Sequence, residues 1–135
     1  MNNETSLPKS YFPQCVRYIR DWEDRHLPLS QSRIAFDLFV LIAHSAATDQ
    51  PLTIKELINS LKYSERGIRY VLDQFIDGGW CEIVGHDKDR RFRHVVATDL
   101  LRLRLHEYKQ HVLSVYSELL SENSQQASFA PRSHV

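Results

Sequence analysis

Apolar positions recur at helical spacing from the first quarter of the chain onwards. The first stripe advances by 4, 3 and 4 residues and predicts a short helix that stops near Pro28. Its members are Cys15, Ile19, Trp22 and His26. Residues 34–46 are apolar almost throughout, with Asp37 and His44 as the main exceptions. Such a segment predicts a second helix at the centre of the core.

The best-signalled helix start lies in the middle of the chain. Thr53 and Glu56 have the spacing of a capping box, in which each side chain bonds the other residue's backbone N–H group. After a turn of about three residues, a second cap at Ser64 opens a helix that ends at Gly78 and Gly79. The apolar face of that helix consists of Ile68, Val71, Leu72 and Phe75. Two short helices, the second amphipathic and basic near its start, predict a helix-turn-helix.

Two short apolar runs follow, at residues 80–84 and 92–97, with a charged loop between them. They predict a β-hairpin with a cationic tip, which would form a wing beside the helix-turn-helix. A final helix is predicted from about Asp99 to about Leu120. Its apolar seam favours packing against another helix, either in a second copy or in the same chain. The seam consists of Leu101, Leu105, Tyr108, Val112, Val115 and Leu119.

The ends of the chain differ in character from its middle. Residues 1–13 show little periodicity and predict a flexible arm, and residues 121–135 are polar and predict a disordered tail. The intervening residues 14–120 are expected to form a single domain, which agrees with a length of 135 residues. No apolar run is long enough to span a bilayer, and the N-terminus lacks the features of a secretory signal. We therefore expect a cytoplasmic protein.

The overall charge is balanced, but its distribution is uneven. The 17 lysines and arginines equal the 17 aspartates and glutamates in number, which excludes a polybasic protein that binds nucleic acid without selectivity. Positive charge is concentrated in residues 62–70 and 86–94. These two segments are the start of the second helix of the helix-turn-helix and the tip of the wing.

An enzyme is not indicated. The seven histidines and two cysteines lack the spacing of a zinc site, and the four glycines form no phosphate-binding loop. No nucleophile motif is present. We predict no catalytic residues, no metal and no cofactor.

The wing segment resembles a known family. The string G-W-C-E-I-V-G-H-D-K-D-R-R, from Gly79 to Arg91, is similar to the wing of the multiple antibiotic resistance regulator (MarR) family. The D-x-R pattern of that family, followed by a threonine, is met by Asp89, Arg91 and Thr98. The preceding string S-E-R-G-I-R-Y-V-L-D-Q-F matches the family's recognition helix in register. The resemblance extends from about Cys15 to about Leu120.

The resemblance implies a fold and a function. The fold would be mainly α with a small β-hairpin wing, a winged helix-turn-helix with N- and C-terminal dimerisation helices. The function would be sequence-specific transcription regulation, expected to be repression, by a homodimer on a palindromic operator in double-stranded DNA. Recognition helix 64–77 would enter the major groove and wing 85–92 the minor groove.

Physical chemistry assigns roles to residues in these segments. The start of the recognition helix attracts a phosphate, and Arg66 and Arg69 can bond guanine in the major groove. Arg90 or Arg91 suits a narrow minor groove, with Asp89 placed to hold Arg91. The predicted DNA-binding residues are Lys62, Ser64, Arg66, Arg69, Tyr70, Gln74, Lys88, Asp89, Arg90 and Arg91. The predicted dimer interface consists of Cys15, Ile19, Trp22, Leu101, Leu105, Tyr108, Val112, Val115 and Leu119.

Two other functions are compatible with these features. A winged helix can bind a protein partner instead of DNA, because a fold does not fix a function. The same fold can also respond to a small-molecule effector or, through Cys15, to oxidation. A buried, unreactive Cys15 is the alternative to such a sensor, and Cys81 is expected to lie in the core.

Overall fold

The computed structural model describes residues 11–29, 32–85 and 93–129, with side chains as far as Ser121. In these ranges the chain forms five helices and three short strands. In chain order they are α1 Phe12–His26, α2 Arg33–Ala47, β1 Leu52–Thr53, α3 Ile54–Ser60, α4 Glu65–Asp77, β2 Cys81–Val84, β3 His94–Ala97 and α5 Asp99–Phe129. The predicted fold class, mainly α with a small β-hairpin, is confirmed.

The strands form one antiparallel sheet in the order β1-β3-β2. Strands β2 and β3 pair from Cys81 opposite Ala97 to Val84 opposite His94, which confirms the predicted hairpin. Strand β1 pairs with β3 through Leu52 opposite Val95. No strand was predicted at β1, because two residues are too few to show alternation. Only the pairing with β3 defines them as a strand.

The caps of the helix-turn-helix form as predicted. The backbone N–H group of Glu56 donates to Thr53 Oγ1 at 3.1 Å, and that of Thr53 donates to Glu56 Oε1 at 2.9 Å. Hydrogen bonds to the Glu56 carboxylate, first from the Thr53 backbone N–H group and then from the Thr53 side chain, lower the pKa of Glu56. At the start of α4, Ser64 Oγ accepts from the backbone N–H group of Gly67 at 3.1 Å. The start of each helix is therefore fixed by its own sequence.

The described chain divides into two compact units. The winged unit spans His26–His106, and the helical unit contains α1 as far as Arg25 and α5 from Glu107 onwards. The predicted domain of residues 14–120 thus comprises parts of both units. None of the helices in the described ranges has the length and hydropathy needed to cross a membrane.

The core of the winged unit is centred on α2. Leu38, Phe39 and Ile42 of this helix are each at most 1% exposed. All four residues of the predicted apolar face of α4 are also buried. The rings of Phe39 and Trp80 meet edge to face, with centroids 6.4 Å apart. Burial of each large apolar side chain contributes about 1.5–3 kcal/mol, so this core is the main source of the unit's stability.

A turn joins α4 to the wing. Gly79 has φ +81°, a conformation that favours glycine, and the following Trp80 N–H group donates back to the Phe75 carbonyl at 2.9 Å. The Thr98 hydroxyl lies 2.6 Å from the Gly79 carbonyl oxygen and 3.0 Å from that of Trp80. Thr98 therefore ties the entry of the wing to its exit.

The helical unit has a smaller core. Cys15 of α1 packs with Val115 and Leu119 of α5, and these three residues are buried. Tyr18, Ile19 and Tyr116 pack around them and are partly buried. Nearby, the ring of Trp22 stacks on Tyr108 at 5.6 Å and on His111 at 5.5 Å. In the described ranges, this core is formed by α1 and α5.

The ends of two helices differ from the prediction. Helix α1 begins at Phe12, inside the predicted arm of residues 1–13, of which residues 1–10 lie outside the described ranges. Helix α5 continues to Phe129, so the prediction of a disordered tail from residue 121 is wrong for residues 121–129. Extending an existing helix costs far less than starting one, and no proline lies between Asp99 and Pro131. Residues 130–135 lie outside the described ranges.

Candidate nucleic-acid interface

Helix α4 presents a polar surface opposite its buried face. All six predicted DNA-binding residues in and before this helix are exposed: Lys62, Ser64, Arg66, Arg69, Tyr70 and Gln74. The Ser64 cap bonds the N–H group of Gly67, and the remaining free N–H groups of the first turn give the helix start a partial positive charge. This surface can therefore accept a phosphate and present side chains to base edges.

Two pairs of exposed side chains interact along α4. Arg69 Nε lies 2.8 Å from Glu65 Oε2, and both side chains are more than half exposed. An exposed pair of this kind contributes only about 0.3–0.5 kcal/mol, so Arg69 can leave Glu65 for a base or a phosphate at small cost. The Gln74 side-chain amide donates to the Tyr70 hydroxyl at 3.3 Å. In the described part of the chain, Arg66 makes no ion pair and can contact DNA without losing one.

Glu65 has opposing effects at this site. Its carboxylate in the first turn is favourable for the helix dipole, yet it would repel a phosphate at the same place. Its pairing with Arg69 partly neutralises that charge. The first turn therefore has a weaker positive field than its arginines alone would produce.

The wing is described only at its base. The register of β2 and β3 ends at Val84 and His94, and the connecting loop starts with Gly85. Four predicted DNA-binding residues, Lys88, Asp89, Arg90 and Arg91, lie outside the described ranges. Their roles stay predictions. Cys81, in β2, is 2% exposed as expected.

The predicted dimer residues are mostly covered within the single chain. Leu101 is fully buried in the winged unit, and Cys15, Val115 and Leu119 form the core of the helical unit. Ile19, Trp22, Leu105, Tyr108 and Val112 are partly buried. Val115 and Leu119 therefore pack against α1 of the same chain, which is the alternative to packing against a second copy.

A different set of apolar residues is open to solvent in the helical unit. Leu113 and Leu120 of α5 are 53% and 66% exposed, and they flank Tyr116 at helical spacing. The ring of Phe12 stacks on that tyrosine at 6.3 Å, and Val16 lies one turn further along α1. We call Phe12, Val16, Leu113, Tyr116 and Leu120 the apolar face. The predicted seam missed it because its 3 and 4 residue spacing is not continued earlier in α5, where Lys109 and His106 occupy the corresponding positions.

Both cysteines are unsuited to sensing oxidants. Neither Cys15 nor Cys81 forms a disulfide, and each is 2% exposed. Burial, with a smaller effect of Glu82, raises the pKa of Cys81 to about 12. The reactive thiolate is therefore scarce at neutral pH. The structure favours the unreactive alternative for both residues.

Several solved structures share the fold of this chain. The YusO protein from Bacillus subtilis matches with a TM-score of 0.64 and 17% identity, over 87% of this chain and 82% of that one. A MepR–DNA complex from S. aureus matches with a TM-score of 0.60 and 12% identity, over 87% of this chain and 91% of that one. A MarR mutant from E. coli complexed with operator DNA matches with a TM-score of 0.51 and 19% identity, over 88% of this chain and 93% of that one.

The sequence comparisons gave no match. No family model matches the chain, and no curated protein matches it. The structural similarity to these proteins establishes a common fold. The chain thus has the winged-helix fold of these proteins, as the sequence resemblance implied.

Proposed function

We propose that this chain is a sequence-specific DNA-binding transcription regulator that acts as a homodimer. Helix α4 would enter the major groove, and wing 85–92 would enter the minor groove. The observation that carries the proposal is the first two turns of α4, which expose Arg66, Arg69 and Tyr70 on a helix-turn-helix with a wing. The DNA complexes of MepR and MarR, which share the fold, support it.

The roles of the α4 side chains follow from their positions. The helix start with Ser64 and Lys62 would hold a phosphate, while Arg66 and Arg69 would bond guanine edges. Tyr70 and Gln74 would contact the backbone or bases at the next turn. Because the chain has no net charge, binding to random DNA should be weak and selectivity should depend on these contacts.

A selection of bound fragments from random DNA, with the purified protein, tests the proposal and yields the operator. We expect a palindromic site and an affinity that falls steeply with salt. Arg69→Ala should weaken operator binding by about 1–3 kcal/mol. The matched control is Arg25→Ala, because Arg25 also pairs with a carboxylate four residues earlier, Asp21, but lies on α1. Equal losses for the two variants would contradict the role of α4.

The wing has its own test. Arg91→Ala should weaken operator binding while leaving the unfolding temperature unchanged, because the role predicted for Arg91 is contact with DNA and not with the core. Binding by this variant that equals the binding of the unmodified protein would remove the wing from the proposal.

The proposed dimer contact is the apolar face of the helical unit. Monomeric proteins seldom expose contiguous apolar patches of large area, and this one combines residues of both α1 and α5. A second copy of the chain would cover it, and the two-fold symmetry of such a dimer would match a palindromic site. Of the residues predicted for the interface, Cys15, Val115 and Leu119 would then form the core beneath this face.

The proposal includes no catalysis and no thiol switch. Both cysteines are buried, and regulation by oxidation would require an exposed thiolate. A protein without disulfides that binds DNA fits the reducing cytoplasm.

A further inference from the structure

The turn between α3 and α4 has no residue type that fixes its direction. It contains Leu61, Lys62, Tyr63 and the cap Ser64, with neither glycine nor proline. Leu61 and Ser64 are in the extended region, with ψ near 147° in both. An extended backbone is open to almost any residue, and these four residues could also adopt other conformations. The direction of the turn must therefore be set by tertiary contacts.

One such contact comes from α2. The Tyr63 hydroxyl donates to Asp37 Oδ2 at 2.5 Å, across 26 residues of sequence, in a partly buried position. Asp37 is one of the few polar residues in the apolar helix α2. Hydrogen bonds to a carboxylate are stronger than neutral ones. This bond raises the pKa of Tyr63, so the donor keeps its proton.

A second contact from α2 reaches the first turn of α4. A Cβ atom added at Gly67 would lie 3.1 Å from Ile34 Cδ1 and 3.1 Å from Ser64 Oγ. The absence of a side chain at Gly67 thus allows α4 to approach α2 closely. Ile34 and Asp37 are one helical turn apart. Helix α2 accordingly contacts the chain on both sides of the Ser64 cap.

We propose that Tyr63 and Asp37 are positioning residues for DNA recognition. Their hydrogen bond would fix the backbone before Ser64, and with it the direction in which the first turn of α4 meets the major groove. In this role Tyr63 and Asp37 would not touch DNA themselves. They would act by positioning Arg66 and Arg69. The inference rests on the proposed function, which it deepens.

A purely structural role would have a different signature. A bond that only stabilises the fold would, when removed, lower the unfolding temperature and leave the ratio of operator to random-DNA affinity unchanged. A positioning bond affects that ratio, because random DNA is bound mainly through phosphates and tolerates a shifted helix. The ratio of the two affinities is therefore the decisive quantity.

The experiment compares Tyr63→Phe and Asp37→Ala with the unmodified protein on the operator and on a scrambled duplex. We expect each variant to lose about tenfold in operator affinity and much less on the scrambled duplex. The double variant should lose no more than either single one, because both remove the same bond. The matched control is Tyr108→Phe, which removes a tyrosine–carboxylate bond to Glu23 in the helical unit. The control should keep the ratio.

A second measurement needs no DNA. The amide of Gly67 donates to Ser64 Oγ at 3.1 Å and that of Ile68 donates to Ser64 O at 3.0 Å. If the Tyr63 bond holds the cap, hydrogen exchange of these two amides should be faster in Tyr63→Phe, with amides of α2 unchanged. This result can be read even if no duplex is ever bound.

The outcomes separate the two proposals. Unmodified protein that prefers no duplex overturns the proposed function, and the DNA-recognition role of the pair with it. An unaltered affinity ratio in a folded Tyr63→Phe variant, where the unmodified protein selects an operator, overturns this inference alone. Unchanged exchange at Gly67 and Ile68 also overturns it. Should Tyr63→Phe fail to fold, Asp37→Ala decides by the same two measurements.

Discussion

The two units of this chain use one kind of bond in two different settings. In the winged unit Tyr63 donates to Asp37, and in the helical unit Tyr108 donates to Glu23, each at 2.5 Å. The winged unit has a core of its own, built around α2 and α4. In the helical unit, the described core has three buried apolar residues, and the apolar face remains open. The winged unit thus has the larger core, whereas the helical unit leaves exposed an apolar surface that the proposed dimer would cover.

The largest test of this contrast acts on the apolar face. Replacing Leu113 and Leu120 with Glu should dissociate the proposed dimer, because burial of an unpaired charge costs several kcal/mol. Sedimentation would show the mass falling from two chains to one. The matched control is Leu103→Glu, on the same helix and 52% exposed, but in the winged unit. A dimer that survives the double change would mean that the two chains meet elsewhere.

The two cores can be compared by one substitution in each. Leu72→Ala, at a residue 3% exposed in the winged unit, should cost about 3 kcal/mol of unfolding free energy. Leu119→Ala, 9% exposed in the helical unit, should cost less in dilute monomer, because few neighbours surround the cavity. Urea unfolding at low and high protein concentration measures both. Equal costs at low concentration would refute the contrast between the cores.

The helical unit should also lose stability at high pH. Burial and the bond to Glu23 raise the pKa of Tyr108 above its ordinary value of 10.0, so the stability it adds is complete below that value. That stability should be lost as the pH rises through the raised pKa. Tyr108→Phe should cost about 2 kcal/mol at neutral pH, and its stability should fall less steeply above pH 10.0. Urea midpoints between pH 7 and 11 give the comparison.

That measurement contains an internal reference. Cys81, with its pKa raised to about 12, titrates in both proteins and should reduce the stability of both as the pH rises. Only the difference between the two curves belongs to Tyr108. Parallel curves of stability against pH for the two proteins would show that the Tyr108 hydroxyl does not contribute to the pH dependence.

The smallest expected effect lies on the surface of the winged unit. Glu65→Gln removes a negative charge from the first turn of α4 and releases Arg69, so operator affinity should rise about two- to threefold. Stability should fall by only a few tenths of a kcal/mol, because the helix dipole loses a favourable partner. Fluorescence anisotropy with labelled duplex measures the affinity. A loss of affinity would indicate that Glu65 itself contacts a base.

Local signals in the sequence predicted much of the winged unit. The Thr53 and Glu56 capping box, the Ser64 cap and the buried face of α4 all occur as expected. These features depend on neighbours three or four residues away, so the sequence contains them in full. Strand β1 could not be predicted in this way, since its two residues are defined only by their pairing with β3.

The candidate site was predicted less completely than the fold. The exposed residues of α4 followed from helical periodicity, but Asp37 and Tyr63 were not in the predicted set. The signal for Asp37 was present, because a carboxylate within an apolar helix needs a partner. The partner itself is 26 residues away, and periodicity does not reach that far.

The sequence by itself determined the order of the helices, their caps, the hairpin and the two basic segments, because each depends on residues close together in the chain. Only the tertiary structure decided which apolar residues are covered. Val115 and Leu119 were expected at a dimer interface and lie against Cys15 of the same chain, whereas Leu113 and Leu120 remain exposed. A helical seam shows that a face must be buried. It does not show which helix covers it, since that depends on where the chain returns in space.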